Sequence, residues 1–156
     1  MTETTESHIA LESSAAGRYR IPQDAIASIV IFGATGDLAG RKLIPAVYNL
    51  WVSGFLPRRL AVVGVARRDK SDAEFRMEMC EALKKHSRTG HGASDTCDPF
   101  VSNLYYHRLN FSDNIGMEAL RRRLAGIEQE SGLCGRRLYY LAVGPEFFAP
   151  IVEALG

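Results

Sequence analysis

Two glycines and an acid stand between a buried strand and a helical stretch in the segment IVIFGATGDLAGRK, residues 29–42. Gly33 can adopt backbone conformations that other residues avoid, and Gly36, three positions later, lets a ligand approach the main chain closely. The amides of the first helical turn and the positive end of the helix dipole would then face that ligand. Such a turn suits the pyrophosphate of a dinucleotide, which binds outside the carboxyl end of the first strand of a parallel sheet.

Three other residues of this turn fit a phosphate-binding role. Ala39 occupies the third small position and lets the helix pack closely on the strand. Thr35 offers a hydroxyl donor, and Asp37 is expected to accept hydrogen bonds from backbone amides at the start of the helix. The spacing G-x-x-G-x-x-A differs from the common G-x-G-x-x-G, so the assignment depends on the flanking strand and helix. A tight turn that binds no ligand is the alternative.

The residues that follow the second expected strand decide between NAD and NADP. An acidic residue there would bind the ribose 2′-hydroxyl of NAD and repel a 2′-phosphate. This chain has Arg67 and Arg68 instead, and guanidinium groups match phosphate geometry and stack on adenine. The pair therefore favours NADP. Two solvated arginines without a ligand are the alternative, because arginine is usually exposed.

The elements that must position these residues alternate along the chain. Continuous apolar runs predict strands, and apolar residues at helical spacing predict helices. The strands are expected at residues 27–32, 60–66, 103–109 and 137–143. The helices are expected at residues 38–52, 72–87, 113–130 and 146–155, with a loop over 87–98. Pro45 removes one backbone donor, so a kink is expected between Arg41 and Pro45.

This alternation predicts an α/β fold, a Rossmann-type parallel sheet in the strand order 3-2-1-4 with helices on both faces and an incomplete second half. Residues 1–24 are polar and are expected to form a flexible tail, and residues 25–156 to form one domain. Tyr139 and Tyr140 alternate along the fourth strand, so one is expected to face the core and the other a helix. That strand would have an unpaired edge, which is an aggregation liability.

Composition argues against several classes of protein and site. The formal net charge of +1 gives no reason to expect a nucleic acid or membrane partner. Three cysteines without a C-x-x-C spacing favour free thiols in a reducing compartment, so a cytoplasmic location is expected. His86, His91, Asp95 and Cys97 match no zinc spacing, so no metal site is expected. The arginines at 121–123 are expected to form the solvated face of a helix.

The stretch FGATGDLAGRKLIPAVYNLWVSGFLP, followed by LAVVGVARRD and by RLYYLAVGPEFFAPIVEALG, resembles the cofactor domain of the glucose-6-phosphate dehydrogenase family over residues 27–156. That family oxidises glucose 6-phosphate to the phosphogluconolactone and passes hydride to NADP at the start of the oxidative pentose phosphate pathway. The resemblance therefore implies an NADP-dependent oxidoreductase of glucose metabolism, whose full-length members are homo-oligomers.

The resemblance also implies which residues bind the cofactor. Arg67 would bind the 2′-phosphate, and Lys42 matches a basic position near the cofactor loop. Phe148 falls where some members have a tyrosine beside the nicotinamide side of the site. The residues implied to line the cofactor phosphates are Gly33, Ala34, Thr35, Gly36, Asp37, Leu38, Ala39 and Gly40. Gly40 departs from a common lysine and should weaken the first helical turn by about 1 kcal/mol relative to alanine.

No catalytic residue is expected within the chain. The family's EKPFG segment with its substrate lysine and its DHYLGKE segment with its catalytic histidine have no counterpart before residue 156. Most of the glucose 6-phosphate site would lie in a downstream substrate domain, so the chain by itself is expected to show no turnover. Two alternatives stay open. A short-chain NAD(P)-binding reductase or epimerase has a similar turn but needs a Tyr-x-x-x-Lys pair, and a non-catalytic NADP-binding module needs covered sheet edges.

Overall fold

A four-stranded parallel sheet organises the computed structural model, which describes residues 12–13, 19–87 and 97–156. The strands are β1 (Ile26–Phe32), β2 (Ala61–Ala66), β3 (Leu104–Arg108) and β4 (Arg136–Leu141). They lie in the order β3-β2-β1-β4. The Rossmann-type order 3-2-1-4 predicted from the sequence is therefore confirmed.

Five α-helices accompany the strands within the described residues. They are α1 (Ile44–Val52), α2 (Asp72–His86), α3 (Cys97–Val101), α4 (Asn114–Glu130) and α5 (Phe148–Leu155). A π-helical turn, Ala39–Leu43, precedes α1, and a 3₁₀ turn, Pro145–Phe147, precedes α5. None of the helices in the described residues is long and apolar enough to cross a bilayer.

The predicted loop over 87–98 is wrong at its end, where α3 begins at Cys97. A helix this short carries too little periodicity to be read from the sequence. His91 and Asp95, which entered the metal pattern considered above, lie outside the described residues. Among the residues that are described, no group of three metal-ligating side chains comes together.

The core forms a layer on each face of the sheet. Ile29 and Ile31 of β1 pack toward α1 and α2, and Val30 and Phe32 pack toward α4 and α5. All of β2 is buried. The inner strands read as continuous apolar runs because both of their faces are covered, as in other parallel sheets.

The packed structure begins earlier than the expected domain boundary at residue 25. The Ile21 amide donates to the Phe55 carbonyl at 3.3 Å, and Ile21 packs against the core. The Gln23 side-chain oxygen accepts from the Arg58 amide at 2.8 Å. Farther upstream, the two-residue strands Glu12–Ser13 and Tyr19–Arg20 pair antiparallel.

The two outer strands of the sheet differ in how their free edges are covered. On β3, the Tyr106 amide donates to Asp72 Oδ1 and the Leu104 carbonyl accepts from Arg76 Nε, both at 2.7 Å. Side chains of α2 thus occupy this edge. β4 ends the described sheet on the other side, where Leu138 and Tyr140 are 50% and 44% exposed. Of the two tyrosines, Tyr139 packs against the core as expected of one of them, whereas Tyr140 is half-exposed and not covered by a helix as expected of the other.

Candidate functional site

The glycine turn after β1 lies against the ends of two other strands. The Gly33 amide donates to the Val65 carbonyl of β2 at 2.8 Å. A Cβ on Gly33 would stand 2.1 Å from the carbonyl oxygen of Ala142, just past β4. The φ angle of Gly33 is +85°, in a region that side-chain-bearing residues rarely adopt. Both the conformation and the lack of space require glycine at this position.

Three amides of the turn are bonded within the protein. Those of Gly33 and Ala34 donate to Val65, at 2.8 and 3.3 Å, and that of Gly36 donates to the Gly33 carbonyl at 3.0 Å. A phosphate would therefore meet the amides of Thr35 and of residues 37–39, since that of Gly40 donates to the Gly36 carbonyl. The first turn of a helix leaves such donors without intrahelical partners.

The Asp37 side chain does not cap the helix as expected. Its carboxylate lies 3.0 Å from the guanidinium of Arg41, one turn later, and both side chains are largely exposed. Helical structure already begins at Asp37, whereas a capping residue must keep an extended conformation. An exposed ion pair of this kind contributes little to stability, so Arg41 can leave it for a phosphate at small cost.

The π-helical turn accommodates Pro45 where the sequence predicted a kink. Pro45 is in the first turn of α1 and has no amide to donate to the Arg41 carbonyl, four residues earlier. Single π-helical turns are frequent at functional sites. This one leaves Arg41 and Lys42 exposed beside the glycine turn. A Cβ on Gly40 would meet nothing within 4 Å.

A cleft of about 470 Å³ opens between the glycine turn and α2. Ligand sites in proteins are typically concave in this way. One wall includes Thr35, Gly36 and Gly40, and the facing wall includes Met77, Glu81 and Lys85. Residues expected from the sequence to bind phosphate therefore line a shared depression.

Arg67 and Arg68 follow β2 directly, and both are exposed. Within the described residues, neither guanidinium forms a hydrogen bond or an ion pair. The Val65 carbonyl that accepts from the glycine turn is two residues before Arg67. The arginines and the glycine turn thus both lie at the carboxyl end of the parallel sheet.

The helix after these arginines starts with a capping box. Ser71 Oγ accepts from the Glu74 amide at 3.2 Å, and the Glu74 carboxylate accepts from the Ser71 amide at 2.7 Å. The hydrogen bond from the Ser71 amide, and then that from the Ser71 hydroxyl to the same carboxylate at 2.9 Å, hold the pKa of Glu74 below its ordinary value. Lys70 forms an ion pair with Glu78. The turn that carries the arginines is therefore fixed at its carboxyl end.

A cluster around Asp72 was not predicted from the sequence. Its two carboxylate oxygens each accept from Arg123 Nη2 at 2.8 Å. The expectation of a solvated helix face is thus confirmed for Arg121 and Arg122, which are exposed, and is wrong for Arg123, which pairs with Asp72. Burial and then the Arg123 charge hold the pKa of His107 below its ordinary value. Asp72 and Arg123 are 51 residues apart, so no local spacing could have indicated the pair.

Phe148 is the first residue of α5 and is 41% exposed. The chain reaches it six residues after Ala142, whose carbonyl lies next to Gly33. Within the described residues, the Phe148 ring forms no ring contact with another aromatic side chain. The structure therefore brings together the glycine turn, the π-helical turn and the arginines. Phe148 is an exposed ring six residues after Ala142, the residue that contacts the glycine turn.

Residues 30–156 match the family model described as glucose-6-phosphate dehydrogenase, NAD binding domain. The glucose-6-phosphate 1-dehydrogenase of Chlamydia muridarum is 41% identical over 127 residues, which make up 81% of this chain and 25% of that protein. The enzyme of the same name from Bacillus subtilis is 36% identical over 129 residues, 83% of this chain and 25% of that protein. The chain thus spans about a quarter of the length of these relatives.

Solved structures give the same result. A structure titled glucose-6-phosphate dehydrogenase in complex with its substrate glucose-6-phosphate has a TM-score of 0.73 and 30% identity, and covers 85% of this chain and 27% of that one. Glucose-6-phosphate 1-dehydrogenase from Mycobacterium avium has a TM-score of 0.67 and 31% identity, and covers 83% and 26%. The resemblance predicted from the motifs is confirmed, and the short-chain reductase interpretation is wrong.

Proposed function

Because this chain belongs to the family of the glucose-6-phosphate dehydrogenase NAD binding domain, we propose that it binds NADP. The family indicates a nicotinamide cofactor, and the preference for NADP is the proposed step. The observation that carries it is the pair Arg67 and Arg68, two exposed guanidinium groups that have no protein partner within the described residues. Guanidinium groups bind phosphate through paired hydrogen bonds, and NADP differs from NAD by one phosphate.

The residues present suit two parts of such a cofactor, its pyrophosphate and its adenosine ribose. At the pyrophosphate, Gly36 leaves the outer side of the turn free of a side chain, and Arg41 and Lys42 add exposed positive charge. At the adenosine ribose, Arg67 would bind the 2′-phosphate and Arg68 would add positive charge beside it. When bound, NADP supplies the hydride-accepting nicotinamide. The residues of this chain hold and orient it.

We further propose that this chain acts as the cofactor domain of a larger site. A solved relative is titled as a complex with its substrate glucose-6-phosphate, so the proposed reaction is hydride transfer from C1 of that sugar to NADP. By the family resemblance, a histidine beyond this chain would act as general base. The exposed ring of Phe148 would lie on the nicotinamide side of this shared site.

Calorimetric titration of the 156-residue chain with NADP and with NAD tests the cofactor preference. Arg67→Ala should raise the dissociation constant for NADP about 10- to 100-fold, since hydrogen bonds to charged groups contribute about 1.5–3 kcal/mol. Its dissociation constant for NAD should change little. Arg122→Ala is the control, because Arg122 is an exposed arginine on α4 that pairs with Glu118.

Calorimetry is preferable to tryptophan fluorescence for this titration. Trp51 lies in the last turn of α1, where its Nε1 donates to the Arg58 carbonyl at 3.1 Å. That end of the helix is remote from the glycine turn.

Equal affinity for NADP and NAD, unchanged in Arg67→Ala, would refute the proposed preference.

A further inference from the structure

The hydroxyl of Tyr106 donates to the Arg68 carbonyl at 2.6 Å and so joins β3 to the turn that carries the two arginines. Tyr106 is 2% exposed, whereas Arg67 and Arg68 are exposed. A buried side chain therefore fixes the main chain of an exposed turn from beneath.

Tyr106 is itself held by residues that lie outside this turn. Its amide donates to Asp72 Oδ1 at 2.7 Å, and Asp72 is in turn bound by Arg123 of α4. Its ring packs on that of Phe75, with centroids 5.3 Å apart, and Phe75 is fully buried. The place of the hydroxyl is thus set by contacts with one strand and two helices that lie outside the turn itself.

The Tyr106 hydroxyl stays protonated at neutral pH and can therefore donate a hydrogen bond. Burial, as the largest cause, raises the pKa of Tyr106 above its ordinary value, so the group keeps its proton. A buried hydroxyl without a partner costs free energy. Release of the Arg68 carbonyl would leave this donor unpaired, which favours the turn conformation that keeps the bond.

We propose that Tyr106 is a positioning residue for cofactor selectivity, because it fixes the Arg68 carbonyl and so holds Arg67 and Arg68 ready for a 2′-phosphate. This inference rests on the proposed function, since it assumes that the arginines bind that phosphate. A turn that is already ordered loses less conformational entropy on binding than a loose one. NAD has no phosphate at this position, so only NADP gains from the ordered turn.

Tyr106→Phe tests this role, since it keeps the ring and removes the hydroxyl. In the free chain, amide hydrogen exchange at residues 67–70 should become faster. The dissociation constant for NADP should rise about two- to tenfold, as expected for one hydrogen bond of about 0.5–1.5 kcal/mol. The dissociation constant for NAD should stay the same, so the ratio of the two constants measures the effect.

Two further variants separate positioning from general support of the fold. Tyr105→Phe is the matched control, because Tyr105 packs on the opposite layer and its hydroxyl forms no hydrogen bond within the described residues. It should change neither exchange nor selectivity. When Arg67 and Arg68 are both replaced by alanine, adding Tyr106→Phe should leave the dissociation constant for NADP unchanged, because the tyrosine acts through these arginines.

Unchanged exchange at residues 67–70 in Tyr106→Phe would overturn the inference, because the hydroxyl would not be holding the turn. Equal weakening of NADP and NAD would also overturn it and would indicate a general structural role. A wild-type chain without NADP preference would instead reject the proposed function. Hydrogen exchange in the free chain needs no cofactor, so the two failures are distinguishable.

Discussion

The two glycines of the turn tolerate a side chain very differently. A methyl group on Gly33 would stand 2.1 Å from the Ala142 carbonyl oxygen, and the backbone there has a positive φ. A methyl group on Gly36 would stand 3.2 Å from the Gly33 carbonyl oxygen, without a positive φ. Gly33 therefore serves the fold, and we expect Gly36 to serve the ligand.

Alanine substitution separates these two roles. Gly33→Ala should lower the free energy of unfolding by at least about 2 kcal/mol, because it combines a disfavoured φ with a backbone clash. Gly36→Ala should lower it by less than about 1 kcal/mol, yet weaken NADP binding, because the methyl group would narrow the approach to the turn. Urea denaturation and calorimetry measure the two effects. If Gly36→Ala bound NADP as tightly as the wild type, its proposed role would be wrong.

For single residues, the sequence predicted where a residue lies in the fold better than it predicted which partner its side chain contacts. The place of Gly33 between strand and helix was enough to predict a special backbone conformation. The partner of Asp37 was not predicted. Whether its carboxylate pairs with Arg41 or accepts from a backbone amide depends on the residue at which the helix begins, and the sequence does not define that residue to within one position. The Tyr106 hydroxyl gave no signal, because its acceptor belongs to a turn 38 residues away.

Among the elements, α4 is tied to two strands through one carboxylate. Glu128 accepts from Arg137 of β4 at 2.8 Å through both of its oxygens, and from the buried Ser28 hydroxyl of β1 at 2.7 Å. The bonds from Arg137, with a smaller contribution from Ser28, lower the pKa of Glu128. A lowered pKa means that the folded state binds a proton less readily than the unfolded chain.

Glu128→Gln should lower the free energy of unfolding by about 1–2 kcal/mol at pH 7, as expected for charge-assisted hydrogen bonds. The contribution of Glu128 is fully present above the ordinary glutamate pKa and is lost as the pH falls below about 4.3. The difference between variant and wild type should therefore shrink in acid. Chemical denaturation at several pH values measures it.

Glu118→Gln on the same helix is the control for this experiment. Glu118 forms exposed ion pairs with Arg121 and Arg122, which contribute little to stability. A Glu128→Gln deficit of constant size from pH 7 to acid would contradict the assigned role of the carboxylate charge.

The helices and strands were predictable where burial in the core requires apolar residues in a continuous run or at helical spacing. β1 and β2 are buried on both faces, so their apolar runs matched the structure within one residue. α4 begins and ends close to the predicted bounds because its apolar stripe, which includes Leu120 and Leu124, faces the core. The Arg123 contact was missed, because the helix period reports which face meets the core and not which side chain reaches around a sheet edge.

At the scale of the whole molecule, the edge of β4 is open to self-association in the part of the chain that the structure describes. Leu138 and Tyr140 leave half-exposed apolar groups beside it, and open edges favour strand pairing between copies. The double substitution Leu138→Lys with Tyr140→Lys should reduce association in sedimentation velocity, because charge on an edge strand opposes pairing. Val152→Lys, at a position 59% exposed on α5, should leave association unchanged. Equal association of the double variant and the wild type would contradict this expectation.

The covering of β3 by Asp72 and Arg76 sets a limit on how many copies can join. Because side chains of the same molecule occupy the edge of β3, the described parallel sheet keeps one open edge, that of β4. Two molecules that meet at β4 would lie about a twofold axis and present only occupied edges to others. Pairing of strand edges would then stop at two copies, because a fibre requires two open sheet edges in every molecule. The Asp72 carboxylate and the Arg76 guanidinium thereby prevent further strands from pairing with β3.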